Sequence, residues 1–202
     1  MVKNIVRASV MSGVIAILAT STQTVRAATQ GQGVDSRQRQ VNMAFSGSMV
    51  PTALDVQPNT ITDEELLAGN GTLGPFTFRK LRTDETSPQS FGSCGSGVGP
   101  SIGVVAGGGV FRFEDGSLLT VTVTEGVLCV DLDHLVGHLT ETYQITGGTG
   151  RLRGASGVLR VTGKLIPVLF SASNAAVLLT NTGELTGTLR VPLEEGRRDQ
   201  QH

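Results

Sequence analysis

Few stretches of this 202-residue chain combine residue types that could do chemistry, and HLTETYQI (138–145) is the most suggestive. On a strand, Leu139, Glu141, Tyr143 and Ile145 share one face, which sets a carboxylate beside a phenol among aliphatic side chains. If that face points into an apolar interior, burial raises the carboxyl's pKa and suits it to proton transfer or to holding a polar ligand group. Arg160, on a strand face with Val158 and Thr162, is the expected inward partner. Glu141, Tyr143 and Arg160 are therefore the candidate ligand-binding residues, and no catalytic residue is assigned. The competing expectation is that a barrel end or a subunit contact exposes this face and leaves Glu141 solvated.

Three other groupings carry less. His134 and His138, with Asp131 and Asp133, would converge on a metal if they lay on a helix. Four apart on a strand they stand roughly 13 Å apart, too far for one ion, so no metal and no cofactor is expected. A Ser-His-Asp site lacks its nucleophile elbow, because GSCGSG (92–97) is not followed by a helical pattern. ITGGTGRLRGASG (145–157) looks at first like a dinucleotide turn, but that chemistry needs a helix after the glycines. The residues that follow carry Gly157, Gly163, Pro167 and many β-branched side chains, so Gly147, Gly148, Gly150 and Gly154 are expected to join two strands.

The elements that must position these residues read as strands. Leu119, Val121 and Val123 alternate with threonines, Phe111 and Phe113 flank Arg112, and Asp115-Gly116 between them signals a hairpin. Phe76 and Phe78 mark an earlier strand. Further strands are expected near 42–50, 126–131, 137–146, 156–163, 164–173 and 182–191, about eight in all, with a long glycine-rich loop inside 92–109. Only ITDEELLAG (61–69) looks helical, with Thr62 as N-cap and Glu65 as its capping-box partner. Strands following strands without intervening helices argue for a barrel or sandwich. With 27 glycines, no tryptophan and eight aromatic residues, the core must be mostly aliphatic.

The N-terminal stretch is built like a secretory signal. Lys3 and Arg7 precede an apolar run from Val10 to Ala19, and Val25-Arg26-Ala27 offers small side chains for cleavage after Ala27. That run is about half the length of a membrane-spanning helix. The expected organisation is a signal peptide (1–27), a flexible leader (28–40), one β domain (41–193) and a polar tail (194–202), secreted or periplasmic. Cleavage removes three of the sixteen basic residues and leaves thirteen against seventeen acidic ones. A mildly acidic product has no footprint for nucleic acid, and no second apolar span exists. In an oxidising compartment the even count favours a Cys94–Cys129 disulfide over two buried thiols.

Tyr143-x-Ile145-x-Gly147-Gly148-Thr149-Gly150-Arg151-Leu152-x-Gly154-Ala155-x-Gly157 resembles the signature of the allene oxide cyclase-like and dirigent-like β-barrels, above all their small secreted bacterial members. GTLGPFT (71–77) is similar to the strand that opens many such domains, while Leu152 stands where the signature usually has Phe. The resemblance covers about residues 42–192. It implies an eight-stranded antiparallel barrel with a central cavity, in many members an oligomer, but not one activity. Three function classes stay open: a barrel holding a small apolar ligand, a metal-independent cyclase or isomerase, and a secreted structural or interaction protein with a filled barrel. An open cavity reaching Glu141 would favour the first two, and a plugged interior the third.

Overall fold

The computed structural model describes residues 36–88, 94, 99–173 and 175–193. The signal segment, residues 28–35 of the leader and the tail from 194 lie outside the described residues. Eight strands run in chain order: β1 (Ser36–Pro51), β2 (Thr60–Gly71), β3 (Phe76–Glu85), β4 (Ser101–Phe113), β5 (Leu118–Asp131), β6 (Val136–Gly148), β7 (Ser156–Phe170) and β8 (Ala176–Pro192). Each pairs antiparallel with the next, and β8 returns to β1 from Ser36↔Pro192 to Met49↔Leu179, closing the barrel. Closure leaves no sheet edge to be protected. One 3₁₀ turn, Gly150–Leu152, is the only helical element among the described residues. No described helix is long and apolar enough to cross a membrane.

Four expectations are corrected. Residues 61–69 are strand, not helix: Asp63, Glu65 and Leu67 are buried while Leu66 and Ala68 face out. Thr62 caps nothing, and its hydroxyl lies 3.1 Å from that of Thr83 on β3. Residues 36–40 belong to β1, where they pair with 188–192 of β8 rather than forming a loose leader. The two strands expected over 156–173 are one, because Gly163 does not break β7. It sits opposite Gly183 on β8, and a Cβ on Gly183 would come within 2.7 Å of the Phe45 ring. Residues 119–123 and 126–131 likewise share β5, with a register shift between Val123 and Glu125. Of the segment 92–109, the part from Ser101 on is strand, and residues 92, 93 and 95–98 lie outside the described residues.

The glycine motif is a strand connection. β6 ends at Gly148, the 3₁₀ turn follows, and β7 begins at Ser156. Gly150 and Gly154 hold φ of +58° and +70°, the left-handed region that side chains disfavour. The turn drives Leu152 into the barrel base, where it is fully buried. The ion pair of Arg151 with Asp115, at 2.8 Å, ties it to the β4–β5 loop.

Inward residues form three layers. At the glycine-motif end lies an apolar base in which Phe78 stacks on Phe111 at 3.9 Å and Phe76 meets Phe111 edge-on at 5.5 Å. At the other end Met49, Leu128, Leu139 and Leu165 form a smaller apolar plug. Cys94 and Cys129 are disulfide-bonded there, with Cα atoms 5.7 Å apart, fastening the segment before β4 to the end of β5. Between base and plug runs a belt of charged side chains.

Candidate functional site

Register builds the belt. Along β3 the inward positions read Phe76, Phe78, Lys80, Arg82, Asp84. Glu65 of β2 lies directly opposite Lys80, and Asp63 directly opposite Arg82. Opposed residues share a face, so each cation meets a carboxylate across the ladder. On the other side of β3, Gly109 stands opposite Lys80 and Gly107 opposite Arg82, which frees space for long side chains. A Cβ on Gly109 would lie 2.5 Å from the Phe78 ring. Glu141 and Tyr143 come in from β6 and Asn181 from β8.

The Lys80 ammonium is the hub. Nζ lies 2.6 Å from Glu141 Oε2 and 3.0 Å from Glu65 Oε1, and donates to Tyr143 Oη at 3.0 Å. Tyr143 donates its hydroxyl to the same Glu141 Oε2 at 2.6 Å. Arg82 donates through Nη1 to Glu65 Oε1 at 3.1 Å and pairs through Nη2 with Asp84 Oδ2 at 2.8 Å. Its Nη2 also stands 3.7 Å from Asp63 Oδ2 and 3.4 Å from the Met49 sulfur. Asn181 Nδ2 donates to Glu65 Oε2 at 3.1 Å. Lys80, Arg82, Glu65 and Glu141 have side chains at most 1% exposed, so these contacts work with little solvent screening.

The surroundings pull the acids apart. Burial pushes the Asp63 carboxyl up to about 6; Asp84 and Glu65 add to that, and Arg82 only partly opposes it. Burial likewise raises Asp84 against the pull of Arg82. For Glu65 burial also acts upward, but Lys80 and Arg82 together outweigh it and hold the carboxyl below its ordinary value. Burial and the neighbouring Glu141 keep the Tyr143 phenol well above its usual range. Among the described residues, three buried side-chain oxygens have no hydrogen-bond partner: Asp84 Oδ1, Glu141 Oε1 and Asn181 Oδ1.

The structure brings together two of the three expected ligand-binding residues. Glu141 and Tyr143 point inward and touch; Arg160 does not join them. It is exposed and opposite Thr142 of β6, whereas Val161 opposes Glu141 and shares its inward face. The partner of Glu141 is Lys80, which the sequence reading missed along with Arg82, Asp63, Glu65, Asp84 and Asn181. A usable signal was present, since the alternation that sends Phe76 and Phe78 inward also sends Lys80, Arg82 and Asp84 inward. His134 sits exposed on the β5–β6 turn, 2.8 Å from Asp131, and His138 is exposed on β6. Among the described residues no cluster of three or more His, Cys, Asp or Glu is placed to hold a metal ion.

Space inside is scarce. The void between base and belt, lined by Phe45, Phe78, Glu65, Tyr143 and Asn181 among others, has a volume of about 10 Å³. That is enough for about one water molecule. The roomier concavity, about 520 Å³, lies on the outer wall over β1–β5, where Leu66, Ala68, Val110 and Arg112 line it.

No protein-family model and no curated protein matches the chain. Among solved structures it is similar to the pterocarpan synthase dirigent protein PsPTS1, at 12% identity and a TM-score of 0.41, over 78% of this chain and 97% of that one. It is also similar to the pterocarpan synthase dirigent protein GePTS1, at 14% identity and a TM-score of 0.27, over 84% of this chain and 99% of that one. The eight-stranded closed antiparallel barrel stands on its own strand pairing.

Proposed function

We propose that this protein is an exported, non-catalytic barrel that works through its outer surface, its interior being filled for stability. The interior void of about 10 Å³ carries this reading. Pockets for small organic ligands span roughly 300–1,000 Å³, and barrels of eight strands can either hold one ligand or be filled by their own side chains. An apolar ligand in the interior, the first expectation from sequence, would have to displace the phenylalanine base. Export is supported by the signal-like first 27 residues and by the Cys94–Cys129 bond, which suits an oxidising compartment.

A second reading, a proton-transferring or ligand-holding site in the belt, is favoured by one observation. Glu141, Tyr143 and Lys80 form a mutually bonded acid–base group, with a Glu141 oxygen left unpaired. It requires the Met49–Leu128–Leu139–Leu165 plug to open. A thermal-shift panel of apolar and polar-headed small molecules, run on the wild type, Glu141→Gln and Tyr143→Phe, separates the two. The filled barrel predicts no saturable shift that depends on either residue. A saturating shift abolished by both substitutions overturns it in favour of the belt site.

A further inference from the structure

The belt is short of positive charge and of donors. From β2 it receives Asp63 and Glu65, from β3 Lys80, Arg82 and Asp84, from β6 Glu141 and Tyr143, from β8 Asn181, and from β1 the Met49 sulfur. Four carboxyls thus face two cations. Every side-chain atom left unpaired there is an oxygen, and Arg82 turns one N–H to a thioether, a weak acceptor. A guest that completes the belt must therefore bring positive charge or a donor and must fit beside a void of about 10 Å³. An organic cation is too large, a metal ion finds no cluster of ligands among the described residues, and water brings donors but no charge. A proton brings both and needs no room.

We propose that the belt is a proton-binding site, in which Asp63 and Asp84, the carboxyls flanking the Arg82 guanidinium, hold one proton between them in the closed barrel, and that losing it loosens the disulfide end of β2 and β3. With the proton in place Arg82 faces Glu65, one aspartate anion and one neutral acid, and the protonated carboxyl is a new donor for an acceptor-rich belt. Without it two buried negative charges are uncompensated where Asp63 and Arg82 pair across the ladder. Linkage fixes the direction. A carboxyl that binds its proton more tightly when folded stabilises the fold at low pH, and that stability is lost as pH rises through its folded value.

Side-chain carboxyl carbon NMR on the disulfide-bonded protein reads the proton directly. Asp63 is expected to titrate about two pH units above an exposed aspartate. Denaturant unfolding adds a second arm. For the Asp63 titration near pH 6, the unfolding equilibrium constant rises about tenfold between pH 5 and pH 7. Asp63→Asn, which mimics the protonated acid, removes that tenfold and slows hydrogen exchange of the 61–63 and 82–84 amides at pH 7. The proposal is overturned if Asp63 and Asp84 both titrate like exposed aspartates, or if Asp63→Asn keeps the wild-type pH slope. Should Asp63→Asn fail to fold, the NMR titration of the wild type decides alone.

Discussion

Replacing Lys80 with methionine removes the hub of the belt at nearly constant volume. The ammonium stands 2.6 Å from Glu141 and 3.0 Å from Glu65. Glu65 keeps Arg82 at 3.1 Å and Asn181 at 3.1 Å, but Glu141 retains only the Tyr143 hydroxyl. Its side chain has no solvent exposure to fall back on. Breaking a buried pair by deleting one partner costs roughly 3–5 kcal/mol, because the other charge stays buried and uncompensated. Against a total stability of about 5–15 kcal/mol that is a large share. It corresponds to a fall in Tm of roughly 6–20 °C for a chain of this size. Adding Glu141→Gln removes the stranded charge and should recover roughly 1–3 kcal/mol, a coupling that urea unfolding of the four proteins of a double-mutant cycle measures. If Lys80→Met costs under about 1 kcal/mol, or if the two substitutions add without coupling, the belt is not the buried ion network described above.

Other outcomes follow from single contacts. Gly109→Ala would place a Cβ 2.5 Å from the Phe78 ring and 2.7 Å from the Arg79 carbonyl oxygen, and should cost about 1–3 kcal/mol in urea unfolding. A neutral result would mean that β4 does not pass so close to the base. Removing the disulfide with Cys94→Ser and Cys129→Ser should lower stability by about 2–4 kcal/mol, read as the difference between oxidised wild type and the double variant. Arg160→Ala should change stability by less than about 0.5 kcal/mol, since the side chain is exposed; a loss of several kcal/mol would return Arg160 to the interior.

What the sequence reveals depends on whether a strand's inward face is apolar. β5 is legible because Leu119, Val121 and Val123 point in and threonines point out. The Phe76–Phe78 pair and the glycine motif are legible for similar reasons, the latter because Gly150 and Gly154 need positive φ. β2 is not, because it turns Asp63 and Glu65 inward and Leu66 outward, which inverts the pattern locally and leaves the TDEE run looking like a helix start. Arg160 reads as inward from sequence because Val158 and Thr162 beside it are as β-branched as Val161. Only the β6–β7 register, with Val161 opposite Glu141, settles the phase. The belt itself is a product of β2–β3 pairing joined to β6 and β8, from positions up to 116 residues apart, as in the Glu65–Asn181 bond. No local pattern carries that.

The central claim is that the barrel is filled by its own side chains. Native mass spectrometry of the protein purified from its producing organism tests it most directly. A filled barrel flies at the mass of the disulfide-bonded polypeptide alone, at every collision energy. A stoichiometric small molecule that stays bound under gentle conditions, and is lost when Glu141→Gln and Tyr143→Phe are introduced, would contradict it.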